Sequence, residues 1–115
     1  MVAAPARGMA LWWAMTTYGF QLPIPFDPDS RRVYSSFVQQ GRIVRMPRKA
    51  SKRATLLDLV ASLFEPGVRY HESTVDDVLR AVFDDHATLR RYLVDDGLLD
   101  RDHNIYWRSG GTVVT

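Results

Sequence analysis

The sequence predicts one α+β domain that is mostly helical and carries a small antiparallel hairpin. Its 115 residues fit the usual size of a single domain, and 46% of them are hydrophobic. Two observations predict the class. Apolar residues recur at helical spacing in the middle of the chain, and two short alternating stretches flank a turn near its end. The absence of cysteine excludes disulfides, thiolate nucleophiles and Cys-ligated zinc.

Residues 1–29 are predicted to form an extension ahead of the domain. Met9–Met15 is apolar, but it is far shorter than the ~20 residues that a membrane span needs. Three prolines between Gln21 and Asp29 predict an extended linker. We expect Trp12 and Trp13 to contact the domain or a partner, because large aromatic rings are costly to leave in water. Without a secretory or membrane signal, the expected location is the cytoplasm.

The predicted winged-helix-like domain, residues 30–108, begins with an extra helix and strand. The helix covers Ser30–Gln40, is capped by Asp29 or by its own first residue, and ends at Gly41. The alternating stretch Arg42–Met46 predicts a short strand that ends before a proline.

Three further helices follow. The first ends at the Glu65-Pro66-Gly67 break and has its apolar positions at Leu56, Leu57, Leu59, Val60, Leu63 and Phe64. The second is capped by Ser73 and turns inward Val75, Val78, Leu79, Val82 and Phe83. The third covers His86–Asp96, turns Leu89 and Leu93 inward and ends at Gly97.

A short extended piece, Val68–Tyr70, precedes the second of these helices, and a hairpin of Leu98–Arg101 and Ile105–Arg108 closes the domain. The resulting order is helix, short strand, helix, tight turn, helix, hairpin. This is the order of a winged helix-turn-helix, in which Ser73–Asp96 forms the helix-turn-helix and the hairpin forms the wing. Residues 109–115 are predicted to be a flexible tail.

Several stretches resemble the bacterial family called domain of unknown function 2087. They include Gly41-Arg42-Ile43, Phe64-Glu65-Pro66-Gly67 and the run Leu89-Arg90-Arg91-Tyr92-Leu93-Val94-Asp95-Asp96-Gly97. The resemblance covers about Tyr34–Arg108 and implies a winged-helix-like fold, with some members in proteins regarded as transcriptional regulators. It implies no biochemical activity. The chain departs from the family pattern at Asp76, where an Asn is usual.

Charge is distributed unevenly along the chain. Residues 1–53 carry nine Arg and Lys against two Asp, whereas residues 54–115 carry six Arg against eleven Asp and Glu. Most of the positive charge lies in what we call the basic segment, which contains Arg42, Arg45, Arg48, Lys49, Lys52 and Arg53. Phosphate binding needs positive charge and little geometry, so the segment is a candidate nucleic-acid contact. A solvated face, or pairing with the acidic half, is the alternative.

The third of these helices offers further candidates. Thr88, Arg90 and Arg91 are candidate contacts to bases or phosphates, and on the predicted wing only Arg101 and Arg108 could flank a phosphate. Acidic residues stand at both ends of the helix and repel phosphate. The alternative is therefore that the two arginines of the helix make ion pairs with Asp76, Asp84 or Asp95.

No catalytic motif is present. The chain lacks a nucleophile elbow, a phosphate loop, a dinucleotide fingerprint and a His-Glu-x-x-His pair, so we expect no enzymatic activity, no cofactor, no metal and no small-molecule substrate. The first hypothesis is a small bacterial DNA-binding protein that regulates transcription through the basic segment. The second is a protein-interaction module whose acidic helix-turn-helix meets a basic partner, with a homodimer also open. RNA binding comes third.

Overall fold

The computed structural model describes residues 21–112, so the predicted contacts of Trp12 and Trp13 lie outside the described residues. This part of the chain forms four helices and two small antiparallel sheets, which confirms the α+β class. The helices are α1 (Pro28–Phe37), α2 (Ala50–Ala61), α3 (Glu72–Val82) and α4 (His86–Asp95). The strands are β1 (Val38–Gln39), β2 (Arg42–Ile43), β3 (Arg69–His71), β4 (Leu99–Asp102) and β5 (Ile105–Arg108).

Helix α1 differs from its predicted bounds at both ends. It begins at Pro28, because the carboxylate of Asp27 accepts a hydrogen bond of 2.9 Å from the N–H of Ser30 and acts as the cap. It ends at Phe37, because the chain then extends into β1 and pairs with β2. The predicted cap at Asp29 or Ser30 is therefore wrong. Gly41 lies in the β1–β2 turn and does not end the helix.

The strand predicted over Arg42–Met46 is shorter in the structure. Only Arg42–Ile43 pairs with β1, and the N–H of Val44 then donates to the carbonyl of Phe37 over 2.9 Å. The chain bends after this bond, because the hairpin partner ends there. The two-stranded sheet therefore brings the start of the basic segment against the end of α1.

A single hydrophobic core joins the helices to the sheets. The core includes Leu22, so this residue of the extension packs on the domain. The N–H of Leu22 also donates to the carbonyl of Gly41 over 2.8 Å. Among residues 21–112, no polar or charged residue other than tyrosine is classed as buried. The largest fully buried side chains are those of Tyr106, Phe64, Leu56, Leu57, Leu79, Leu89, Leu93 and Leu99.

Helix α3 begins earlier than its sequence predicts. Its cap position is His71, not Ser73, and no side chain caps it. The reason is tertiary: the N–H of Glu72 donates to the carbonyl of Asn104, in the β4–β5 turn, over 2.8 Å. A distant turn thus satisfies the first N–H of the helix, which a local cap would otherwise have to do.

The second sheet has the strand order β3–β5–β4. Tyr106 stands at its centre, opposite Tyr70 on one side and Arg101 on the other. The turn is shorter than predicted, because Asp102 still belongs to β4 and His103 takes a positive φ of 57°. This sheet, together with the element order, is consistent with a winged-helix-like arrangement in which β4 and β5 form the wing.

Residues 109–112 are held on the domain, unlike the flexible tail predicted from Ser109. The Arg108 guanidinium donates to the carbonyls of Phe64 (3.1 Å), Gly110 (2.6 Å) and Thr112 (2.6 Å). Burial lowers the pKa of Arg108 from its ordinary value. The predicted contact of this arginine with phosphate is thereby replaced by contacts within the protein.

Candidate nucleic-acid interface

The basic segment divides into side chains used inside the protein and side chains left in solvent. Arg42 belongs to the first kind, since it donates to the carbonyl of Arg80 over 2.6 Å and pairs with Asp84. The guanidinium of Arg45 lies over the ring of Phe37, 4.9 Å from its centroid. Arg42 therefore joins β2 to α3, and Arg45 joins the segment after β2 to the end of α1.

Arg53 connects two helices. Its guanidinium lies over the Tyr92 ring of α4, 5.0 Å from the centroid, and donates to the carbonyl of Arg48 over 3.2 Å. Cation–π contacts of this kind contribute about 0.5–1 kcal/mol at exposed sites. The contact places the first turn of α2 directly beside α4.

Three cations at the start of α2 remain exposed and form no ion pair with any residue of the described range: Arg48, Lys49 and Lys52. We call them the α2 cations. Lys49 occupies the cap position of α2 and makes no side-chain cap bond, and the first turn contains no acid. The unpaired N–H groups and the positive end of the helix dipole therefore add to the charge of the side chains.

Thr88 is engaged at the start of α4. Its N–H and its hydroxyl both donate to the carboxylate of Asp85, over 3.2 and 2.7 Å. These hydrogen bonds, the side-chain one foremost, lower the pKa of Asp85 from its ordinary value. Asp85 is thus the cap of α4, and the hydroxyl predicted to reach DNA has a partner within the protein.

The two arginines of α4 have different environments. Arg90 forms an ion pair with Asp76 and lies 3.5 Å from a carboxylate oxygen of Glu72, and its side chain is only 21% exposed. This is the ion pair within the chain that the sequence offered as the alternative to a DNA contact. Arg91 is exposed and has no ion-pair partner in the described part of the chain. Its charge helps to lower the pKa of Asp85.

Helix α4 packs against both α2 and β4, and Arg53 of α2 lies over its Tyr92 ring. A cavity of about 260 Å³ on the wing side is lined by Ala87, Arg90, Arg91, Val94, Asp95, Arg101 and Tyr106. Strand alternation predicts only that one of Tyr106 and Trp107 faces inward, so the sequence does not place Tyr106 at this cavity.

The chain belongs to the bacterial family called domain of unknown function 2087. The family model, described as an uncharacterized protein conserved in bacteria, matches residues 42–108, which is more than half of the sequence. The match begins at β2 and ends with β5, so it contains the basic segment, α4 and the wing but not α1. The resemblance seen in the sequence is thereby confirmed. Neither a search of curated proteins nor one of solved structures finds a match.

The described part of the chain holds neither of two other kinds of site. Within residues 21–112 no helix has the length and apolar character needed to cross a membrane. In that range no group of three or more His, Asp or Glu side chains is arranged to hold a metal ion.

Proposed function

We propose that this protein is a small winged-helix-like DNA-binding protein that regulates transcription in bacteria and is not an enzyme. The observation that carries the proposal is the position of the α2 cations beside α4. Arg53, the neighbour of Lys52 in sequence, lies over the Tyr92 ring and so brings the start of α2 close to α4. A DNA duplex lying along α4 would therefore meet exposed positive charge on the α2 side.

The proposal divides the basic residues by role. Arg48, Lys49, Lys52 and Arg91 contact phosphates, because they are exposed and free of ion pairs with described residues. Arg42, Arg45, Arg53 and Arg90 hold the elements that carry them, because each has a partner inside the domain. Phosphate contacts supply affinity and orientation, whereas they carry no sequence information directly.

The test is a salt titration of binding to a short fluorescent DNA duplex, followed by anisotropy. Each phosphate contact steepens the dependence of log K on log salt by about 0.9, so Arg48→Ala/Lys49→Ala/Lys52→Ala reduces the slope by up to about 3. The matched control removes the same charge from other elements, as Arg32→Ala/Arg69→Ala/Arg80→Ala. The proposal would be overturned if both triple variants reduced the salt slope equally, or if the natural protein did not bind DNA at low salt.

A second candidate function is binding of a basic protein partner. Asp95 and Asp96 are exposed at the C-terminal end of α4, where the helix dipole disfavours negative charge, and no described residue pairs with them. Phe26 is 87% exposed and Ile24 is 66% exposed, both in the stretch before α1. Exposed apolar side chains and unpaired acids both occur at protein-binding surfaces.

The variant Asp95→Asn/Asp96→Asn separates the two functions. It strengthens DNA binding under the first, because two charges that repel phosphate are removed. If the second function is correct, neither the natural protein nor the variant binds DNA, and the variant binds a lysine-rich peptide more weakly than the natural protein does. Light scattering on the same samples shows whether the partner is a second copy of the chain.

A further inference from the structure

We propose that the cavity between α4 and the β4–β5 hairpin binds a phosphate group through Arg91, Arg101 and the hydroxyl of Tyr106. The inference deepens the proposed function, on which it rests where the phosphate belongs to DNA. Its first test uses inorganic phosphate alone, so it can fail or succeed independently of DNA binding.

The cavity has room for a small oxyanion and is lined by arginine side chains that could donate hydrogen bonds to it. Its volume of about 260 Å³ exceeds by several times the ~30 Å³ of a water molecule. Three arginines line it against a single carboxylate, that of Asp95. The charge of Arg90 is already matched by Asp76 and Glu72. With Asp76 and Glu72 counted beside Asp95, three carboxylates balance the three arginines, and Arg91 and Arg101 are the two that form no ion pair with a residue of the range 21–112.

Tyr106 provides a buried polar group at this place. The residue is fully buried, yet within the described residues its hydroxyl has only two hydrogen bonds and both are long: one is received from Arg101 at 3.4 Å and one is donated to Glu72 at 3.5 Å. Hydrogen bonds between oxygens are normally about 2.7–2.8 Å long, and a buried hydroxyl with weak partners is unfavourable. The exposed side chain of Arg101 covers this hydroxyl, and a small shift of that side chain would let a phosphate oxygen accept a shorter bond from it.

Arg101 supplies the second element of the site. It is exposed on β4 and forms no ion pair with a residue of the range 21–112, while its contact with Tyr106 holds the guanidinium next to the cavity. A guanidinium presents parallel N–H donors that match two oxygens of a phosphate. The rigid sheet orients this donor set, since Arg101 and Tyr106 are register partners on adjacent strands.

The ligand is therefore a phosphate group, either a backbone phosphate of DNA or a free phosphate or phosphate monoester. The cavity borders α4, which also packs against α2, the helix whose start carries the α2 cations. A duplex bound by the α2 cations would therefore lie close to α4, which makes the DNA backbone the first phosphate source to test.

The experiment titrates the full chain with sodium phosphate at constant ionic strength, using ¹H–¹⁵N NMR shifts and sodium chloride as the reference. We expect saturable shifts at Arg101 and Tyr106. Binding becomes about 10-fold weaker in Arg101→Gln, since one hydrogen bond to a charged group contributes about 1.5 kcal/mol. Tyr106→Phe keeps the buried ring and removes only the hydroxyl, so it weakens binding without unfolding the protein. Arg69→Gln, an exposed arginine of the same sheet, is the matched control.

Shifts that do not saturate would overturn the inference, as would a phosphate affinity that is the same in Arg101→Gln and Arg69→Gln. A DNA arm then identifies the source of the phosphate. If the site belongs to the backbone, inorganic phosphate competes with duplex DNA and Arg101→Gln weakens DNA binding. If phosphate binds and DNA does not compete with it, the site takes a free anion and this inference stands, while the proposed function is decided separately by the salt titration of duplex binding.

Discussion

The guanidinium of Arg53 lies over the ring of Tyr92, 5.0 Å from its centroid, and joins the first turn of α2 to the middle of α4. This contact links the two parts of the sequence that carry the candidate DNA contacts. A residue of the basic segment thus acts in the fold, while its neighbours Lys49 and Lys52 stay free for a ligand.

We predict that Arg53→Gln lowers the free energy of unfolding by about 0.5–1 kcal/mol, because the cation–π contact is lost at a partly exposed site. Urea unfolding of Arg53→Gln, Tyr92→Leu and the double variant measures the coupling between the two side chains. Tyr92→Phe is the control, since it keeps the aromatic face and most of the contact. Additive effects of the two single changes would show that the contact contributes nothing.

The ion pair of Arg90 with Asp76 supports a stronger prediction. Both side chains are mostly covered, at 21% exposure for Arg90 and 17% for Asp76. Asp76→Asn therefore leaves the Arg90 guanidinium poorly hydrated and without this carboxylate. We expect a loss of about 1–3 kcal/mol. The neighbouring Asp77→Asn breaks an exposed pair with Arg80 and should cost less than about 1 kcal/mol. Equal losses in the two variants, measured by urea unfolding, would contradict this ranking.

The cap of α4 predicts a pH dependence. Hydrogen bonds from Thr88 lower the pKa of Asp85 in the folded protein, so the carboxylate stabilises the fold above its unfolded-state pKa. That stabilisation is lost as the pH falls through the folded-state value. The Tm of Asp85→Ala therefore lies below that of the natural protein at neutral pH, and the gap narrows below about pH 4.

Asp85→Asn is the control for this cap, because asparagine caps a helix about as well as aspartate but does not titrate. The Tm of Asp85→Asn should exceed that of Asp85→Ala by the same amount at all pH values. Thermal unfolding followed by circular dichroism over a range of pH makes the comparison. A gap between Asp85→Ala and the natural protein that stays constant into acid would refute the assignment.

The turn between β1 and β2 depends on a glycine. Gly41 has a φ of +75°, and an added Cβ would lie 2.4 Å from the Cβ of Gln21. Gly67 has a similar φ of +85° but open space around it. We expect Gly67→Ala to cost about 1–2 kcal/mol from backbone strain alone. Gly41→Ala should cost more in urea unfolding, and similar values would mean that Gln21 yields without penalty.

Much of the fold follows from local signals. The apolar spacing of Val75, Val78, Leu79 and Val82 predicts α3, and all four are fully buried. The alternation around the turn at His103 predicts the hairpin that forms β4 and β5. Helix ends were less predictable, since the cap of α1 is a residue placed in the linker and the start of α3 depends on the carbonyl of Asn104.

The roles of the charged residues were decided by distance in space. The sequence by itself determined that positive charge concentrates between Arg42 and Arg53 and that acids surround α4, because composition and order need no fold. Only the tertiary structure decided which cations are free. Arg42 and Arg90 find carboxylates on elements far along the chain, whereas Lys49 and Lys52 find none in the described range. Ion pairing depends on separations of a few ångströms, and chain packing sets those separations.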